Sequence, residues 1–490
     1  MSGITFVLNI AKGALMAQQK GINVTGHNIA NVNTPGFTRQ RVILESNAVA
    51  TTTRLKMGLG VKADTVIQYF DQFTTKNIQQ KTSALSEYES KKSILDYLQS
   101  VFNETSENGL NKTFEEFWNA WQDLANNPVG VPERTALLQK TSHLCERFHQ
   151  INEDLLRTKN EMNTNLDVSI DELNIFTRQI ASLNERIVAA EASGTTANDL
   201  RDQRNNLIEK VSGLIDAAYL EEQNGAIMVM TSSGIALVNG NQSWDLERTG
   251  QEIYWNDVPT DISEKLSGGK IGAWMDLRDE IIPQYMANLD ELAGSLIYSV
   301  NDLHFQGNAL DGSTGYLLFA PNPGTTDPGD EDDYVTHTPA LEFAGAARYI
   351  ALSTDVERQP GRIAAGTAPG EPGNNENALA IQALQDATLL IRKWTYQRGT
   401  DPLSQDQSGT LDEFYTILAG EIGMLVEEMG RSQSFQQTMI NQLNEIRDSI
   451  SGVSLDEEMI NLIKYQHAFT AASKLVNASD EMLQDLLSLR

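Results

Sequence analysis

Six histidines (His27, His143, His149, His304, His337 and His467), one cysteine and one dense run of carboxylates are the side chains here best suited to chemistry. No two histidines fall at the i+3 or i+4 spacing that would turn them onto one helix face as metal ligands. Asp327, Asp330, Glu331, Asp332 and Asp333 would attract a cation. They lack the D-x-[DN]-x-[DN]-G spacing that wraps calcium, so a solvated loop is the simpler reading of 327–333. Cys145 lies seven residues on from Leu138, where a helix would bury it as a small hydrophobe and leave it inert. Gly58-Leu59-Gly60 is too short to cradle a dinucleotide, and P-loop, HExxH, GxSxG and CxxC motifs are all missing. Nothing singles out two carboxylates as a glycosidase pair. The sequence thus points away from an enzyme, and no catalytic residue, metal or cofactor is expected.

Charge narrows the partners. The chain carries a net charge of −29, whereas contact with phosphates needs clustered Lys and Arg; a nucleic-acid role is not expected. The acidity is uneven. Residues 1–80 hold eight basic against three acidic residues, and residues 441–490 hold four basic against eight acidic. Opposite signs at the two ends favour pairing them, although salt screens the effect. A single cysteine permits no internal disulfide, which fits a reducing compartment or export in an unfolded state. Met1 to Lys20 lacks the basic start, continuous apolar run and small-residue cleavage site of a signal peptide. No stretch of 18 apolar residues occurs, so a membrane-spanning helix is not expected.

The elements that would position these residues are mostly helices. Ile4, Leu8, Ala11, Leu15 and Ile22 line one side of a first helix over 1–30. Asn28, Asn31 and Asn33 follow the spacing of a helix end, because asparagine tolerates the left-handed conformation that closes helices. Thr34-Pro35-Gly36-Phe37 predicts a type II turn, with proline fixing φ and glycine supplying a positive φ next to it. An extended Thr- and Gly-rich stretch runs from Thr38 to about Ala63. Phe114, Phe117, Trp118 and Trp121 form an aromatic stripe that reads as core.

A 3–4 alternation through Met162, Leu166, Ser169, Leu173, Phe176, Ile180, Leu183 and Ile187 predicts a coiled-coil helix from Glu133 to about Ala192, roughly 90 Å long. A second run, from Leu411 through Tyr415, Leu418, Ile422 and Leu425 to Ile450, offers it a matching seam. Gly420, Gly423 and Gly430 weaken that second helix by about 1 kcal/mol each. The last helix, 454–490, opens on a capping box, Ser454-Leu455-Asp456-Glu457, after Gly452. Its expected seam pairs Leu455, Leu462, Phe469, Val476 and Leu483 with Met459, Gln466, Ser473 and Asp480. Residues 226–238 read as a β-hairpin. The segment 309–372 holds seven of the thirteen prolines and no helical period, which suggests a small β-rich module.

These elements predict a mainly α fold with β-rich insertions, in which the N- and C-terminal helices pair as an elongated coiled-coil stem. Three parts are expected. Residues 1–80 with 441–490 form a terminal helical domain, too narrow in its apolar stripe to be ordered in a lone chain. Residues 81–308 with 373–440 form a long-helix bundle that includes a β-hairpin region near 221–267. Residues 309–372 form the outer module.

The stretch from Gly26 to Phe37, GHNIANVNTPGF, resembles the N-terminal signature of bacterial flagellar rod, hook and hook-associated proteins. Gly452 to Met459, with Tyr465-Gln466 and Glu481-Met482-Leu483, is similar to the closing helix of the same superfamily. Asn198 to Ile208, Leu277 to Pro283 and Val300 to His304 resemble segments of the hook-associated members that join hook to filament. The likeness covers most of 1–310 and 375–490 and is weak over 309–372. It implies a structural subunit of the hook–filament junction, packed through its terminal helices. The packing residues would be Ile4, Leu8, Leu15, Ile22, Leu455, Met459, Leu462, Phe469, Val476 and Leu483, with the turn set by Asn28, Asn31, Asn33, Pro35 and Gly36. The partners implied are other copies in a ring, the hook protein, hook-associated protein 3, the type III export apparatus and a cytoplasmic chaperone on the C-terminal region. The implied location is extracellular, in the flagellum, reached without a cleaved signal. A hook subunit, a coiled-coil scaffold and a wall hydrolase are the competing readings; the long helix argues against the first, and the missing catalytic set against the last.

Overall fold

In the computed structural model, the described residues are 2–47, 49–52, 55–58, 60–102, 109–192, 194–255, 258–320 and 343–488. The first part of the chain gives α1 (Ser2–Ala30), β1 (Gln40–Ser46), β2 (Val49–Thr52), β3 (Leu55–Gly58), β4 (Val61–Gln68), α2 (Gln72–Val101), α3 (Leu110–Asn126) and α4 (Val131–Glu191). Next come α5 (Asn198–Leu214), β5 (Ala217–Glu221), β6 (Ile227–Thr231), β7 (Ala236–Asn239), β8 (Gln242–Ser243), β9 (Leu246–Thr249), β10 (Glu252–Trp255) and β11 (Val258–Asp261). The remainder is α6 (Gly269–Asp276), α7 (Ile282–Gln306), α8 (Ala346–Tyr349), α9 (Thr354–Arg358), α10 (Glu376–Gln382), β12 (Leu389–Thr395), β13 (Leu403–Gly409), α11 (Leu411–Ser451) and α12 (Leu455–Ser488). The fold is mainly α with small antiparallel sheets, as the periodicities imply.

Two compact units emerge. The first comprises residues 1–86, 169–270 and 434–490; the second comprises 87–168 and 271–433. The hairpin region near 221–267 therefore falls in the same unit as both termini, not in the bundle where it was expected.

In the first unit, β1 and β4 form an antiparallel ribbon, with a bulge between Ile43 and Leu44. The expected hairpin is present as β6 and β7, inside a four-stranded sheet ordered β5-β6-β7-β8. It docks on α4 through a specific device. The buried Asn184 amide donates to Ile227 O (2.8 Å) and accepts from Ile227 N (3.1 Å). Ten residues earlier on the same helix, Asn174 clamps Leu246 in the same way, with both bonds at 2.9 Å. A primary amide carries one donor side and one acceptor side, so it pairs with a strand residue as a neighbouring strand would. The predicted α4 seam is buried except Phe176, which is half-buried. Its C-terminal half meets these sheets and α5, from which Arg204 donates to Asn184 Oδ1 at 3.0 Å and Lys210 lies over the Phe176 ring.

The second unit holds a continuous core in which Phe114, Phe117, Trp118 and Trp121 are buried. The run on α11 faces α2. Phe102 stacks on Tyr415 with ring centroids 5.9 Å apart; a Cβ on Gly423 would lie 3.5 Å from Gln99, and one on Gly430 3.3 Å from Lys92. Those two glycines thus admit α2 side chains close to the α11 backbone, which offsets their poor helix propensity. The hairpin β12–β13 interrupts a region expected to be helical.

The expected β-rich outer module at 309–372 does not appear among the described residues. Residues 343–372 form α8, α9 and a 3₁₀ turn at Pro360–Arg362, with only isolated bridges at Asn308–Gly366 and Phe319–Leu352. Leu318, Phe319, Ala347, Ile350, Val356 and Ile363 are buried in the core of the second unit. In the described part, Gly345, at φ +83°, and Pro360, which opens the 3₁₀ turn, mark bends of the chain. The acidic loop 327–333 and His337 lie outside the described residues.

Two buried titrating groups brace that segment in opposite senses. His304 donates from Nδ1 to Tyr316 O (2.6 Å) and accepts at Nε2 from Ala364 N (3.0 Å). Burial pushes its pKa down to about 4. Asp290 accepts from Gly345 N (2.8 Å) and Ala347 N (3.0 Å), and burial raises its carboxyl to about 6. Between pH 4 and 6 the folded state binds fewer protons than the unfolded state at His304, so stability rises with pH. At Asp290 it binds more, so stability falls with pH. Asp290→Asn is expected to leave the second unit losing roughly 3 kcal/mol on acidification from pH 6.5 to 4, by the His304 effect alone. His304→Gln is expected to leave the opposite trend. Denaturant midpoints at pH 4 and 7, taken as differences from the parent protein, check the signs.

Candidate assembly interface: the paired termini

Helices α1 and α12 run antiparallel. Asn28 Nδ2 donates to Glu458 Oε2 at 3.0 Å, and a Cβ on Gly21 would lie 2.7 Å from the Tyr465 ring. Seven residues back along α1 therefore match seven residues forward along α12. The buried row on α12 continues at this spacing with Ala472 and Ser479, and the buried row on α1 includes Ala11, Ala17, Gly21 and Thr25. Small side chains bring the two backbones close, and glycine is required where Tyr465 crosses.

The bulky predicted residues sit beside that seam. Ile4, Leu8, Leu15 and Ile22 are half-buried, as are Leu462, Phe469, Val476 and Leu483. Leu455 is exposed, and Met459 keeps 55% of its surface. The observed alternation joins the Leu462 row to Glu458, Tyr465, Ala472 and Ser479, not to Met459, Gln466, Ser473 and Asp480. Of the two rows that the periodicity gives on α12, the Leu462 row is half-buried and the Met459 row is mostly exposed, because the row that α1 covers is the small and polar one. Apolar side chains remain on the uncovered sides as well: Met16 is 63% exposed and Met482 50%, with Ile460, Ile463 and Leu475 similarly open.

The turn motif does more than reverse the chain. Asn28 lies inside α1, fully buried, and clamps Gln40 by donating to its carbonyl (2.8 Å) and accepting from its N–H (3.0 Å). It docks the ribbon instead of ending the helix. Asn31 donates to His27 O (3.0 Å) and accepts from Thr34 Oγ1 (3.1 Å); Asn33 is exposed. Phe37 N bonds Thr34 O at 3.2 Å around Pro35 and Gly36. Gly36 has φ +75°, and a Cβ there would lie 2.0 Å from Asn206 Oδ1. Both the conformation and the close approach demand glycine.

Arg39, which sequence reasoning missed, ties this turn to the last helix. Its Nε and Nη2 each approach Glu458 Oε1 at 2.8 Å, and Nη1 reaches Glu457 Oε2 at 2.7 Å. Its backbone N–H donates to Ser451 O (2.9 Å), at the bend between α11 and α12. Burial opposes the Arg39 charge, but the two carboxylates outweigh it and raise its pKa. The expected capping box is altered accordingly: α12 does begin at Leu455, yet the Glu457 carboxylate serves Arg39. Gly452 admits the bend, since a Cβ would lie 2.3 Å from Asp448 O.

The segment 198–206 anchors the other side of the turn. Asp202 accepts from Thr38 N (3.0 Å) and Gln68 Nε2 (2.9 Å), and Asp199 accepts from Gln40 Nε2 (2.8 Å). Burial raises Asp202 to about 6 despite those bonds. The available signal was the density of Asp, Asn and Arg in this stretch, more than a solvated helix face needs.

Among the described residues no three His, Cys, Asp or Glu side chains come together as a metal site. The Cys145 thiol is buried and pushed up to about 12. No described helix is long and apolar enough to cross a membrane.

Comparison with known proteins agrees along the whole chain. A model described as the flagellar hook-associated protein FlgK helical domain matches residues 95–319. The flagella basal body rod protein model matches 8–38, and the flagellar basal body rod FlgEFG protein C-terminal model matches 447–489. The chain is 28% identical to flagellar hook-associated protein 1 of Bacillus subtilis, over 98% of this chain and 97% of that one. It is 24% identical to flagellar hook-associated protein 1 of Escherichia coli, over 99% and 100%. The solved flagellar hook junction protein FlgK from Burkholderia pseudomallei shares the fold, with a TM-score of 0.62 at 17% identity, covering 78% of this chain and all of that one. With its rod-type ends joined to its own termini and the helical-domain model across its middle, the chain belongs to the flagellar hook-associated protein 1 family, a family of structural flagellar proteins.

Proposed function

We propose that this chain is a structural subunit of the hook–filament junction, held in place by packing of its terminal helices with those of its neighbours. One observation carries this reading: α12 bears apolar side chains all round, and its own chain covers only one side of it. Burying the open halves of such side chains gains about 1 kcal/mol each. A ring of copies would supply that cover, with the hook protein on one side and hook-associated protein 3 on the other. The packing set is then Ile4, Leu8, Leu15, Ile22, Leu462, Phe469, Val476 and Leu483 at the edges of the pair, with Leu455 and Met459 facing outward. The subunit would reach this extracellular position by type III export, uncleaved, after release from a cytoplasmic chaperone on its C-terminal region.

In the free protein the terminal pair is expected to exchange its amide protons quickly, since half of its cover is missing. Slow exchange throughout 2–40 and 455–488 would count against this. Leu462→Asp is expected to stop junction assembly while the second unit stays folded. Swimming cells that carry the change as their sole copy would sink the assignment, as would an antibody label found anywhere but a narrow band between hook and filament.

A further inference from the structure

Beside the α1–α12 seam lies a groove of about 470 Å³, bordered by Val24, Arg41, Val42, Tyr69, Ile460 and Lys464, among others. Its cations are unusual in a chain with 66 acidic and 37 basic residues. Arg39, at the back, is fully engaged by Glu457 and Glu458. Arg41 and Lys464 are exposed and form no ion pair among the described residues; Arg41 donates only to the Tyr69 hydroxyl, at 2.9 Å. At the far end of α12, Glu481 and Asp485 are exposed one helical turn apart and are likewise unpaired, with the exposed Met482 between them. Groove and carboxylates are about seventeen residues apart on one straight helix, roughly 25 Å, so no chain can satisfy itself.

Resting on the assembly role above, we infer that this groove receives the end of α12 from a second copy, with Glu481 and Asp485 meeting Arg41 and Lys464 and Met482 lying on the apolar floor of Val24, Val42 and Ile460. The contact is heterologous: each copy offers a groove at one end of its helix pair and a plug at the other, so it repeats from copy to copy. Like charges facing each other in such a contact suppress it, which makes charge exchange a direct test.

In flagella isolated from cells whose sole copy carries Lys464→Cys and Glu481→Cys, oxidation with copper phenanthroline is expected to give a ladder of linked oligomers. The buried Cys145 adds no background, and bridging within a chain is excluded because a disulfide spans less than about 7 Å between Cα atoms. Chains that are present in the flagella but stay monomeric overturn the contact and leave the junction role standing. Absence of the unaltered chain from the hook–filament boundary fails the junction role instead. Arg41→Glu with Lys464→Glu is expected to cut filament-bearing cells by at least about tenfold, because like charges facing each other across an interface oppose it. Adding Glu481→Lys and Asp485→Lys to the same chain should restore most of that loss. A reversed groove that the reversed plug fails to rescue means that a different protein, the hook or a chaperone, occupies it.

Discussion

Arg39→Ala is expected to remove assembly altogether while leaving the second unit intact. Arginine here offers three donors to two carboxylates, and Glu458 keeps only 3% of its side-chain surface. Truncating one partner leaves that carboxylate buried with only the Asn28 amide, and breaking a buried pair in this way costs about 3 kcal/mol or more. At 1.4 kcal/mol per tenfold, the docked arrangement of α12 would fall about a hundredfold in population. The measurement is the number of filament-bearing cells, with thermal unfolding of the second unit as the control. Adding Glu458→Gln should recover part of the loss, because a neutral amide at that position no longer carries an unpaired charge and still accepts from Asn28. If Arg39→Ala alone assembles normally, the turn and the last helix are held by something other than this ion pair.

Phe117→Ala is expected to have the largest effect on folding itself. Its ring is buried, with centroids 4.7 Å from Trp118, 6.4 Å from Trp121 and 6.2 Å from Phe319. Removing a buried phenylalanine costs 3–5 kcal/mol, since the cavity adds to the lost transfer energy. In a unit of this size, that lowers the melting temperature by about 10 °C. The contact to Phe319 makes a second effect specific: proteolysis near 309–320 should accelerate before the unit melts. A substitution that shifts the melting temperature by less than about 3 °C would show that the aromatic stripe is not the centre of this core.

The two predictions bear on different ends of what the sequence discloses. The aromatic stripe is legible because burial imposes one period on four large residues, and nothing else competes for them. The seam of the terminal pair is legible only in part. Its Leu462 row follows the expected heptad, but its Glu458 row is chosen by an arginine 419 positions away and by the small residues of α1. Periodicity reports where hydrophobes recur; it is silent on which row a partner helix of alanine and glycine will cover. The described parts of 309–372, at 309–320 and 343–372, depart from the expected β-rich pattern for another cause. Proline and glycine density signals bends, and bends serve a wrapped, buried segment as well as a strand-rich one. Leu318, Phe319 and Ile350 show that this stretch was recruited by the core. The turn at 34–37 was legible because φ restrictions are local.

Five asparagines act alike in this molecule. Asn28 and Gln40, Asn174 and Leu246, Asn184 and Ile227, Asn288 and Trp394, and Asn301 and Phe319 each pair a buried helix amide with both backbone groups of one passing residue. These amides also bear on ageing. Hydrolysis to aspartate would replace a donor with an anion against a carbonyl and open the joint. None of the five precedes glycine: the next residues are Ile29, Ile175, Glu185, Leu289 and Asp302. Bulky or charged neighbours held in helical geometry keep the following backbone nitrogen from attacking the amide. The joints are therefore slow to decay, as suits a part that no ribosome can replace once it is built into a filament base.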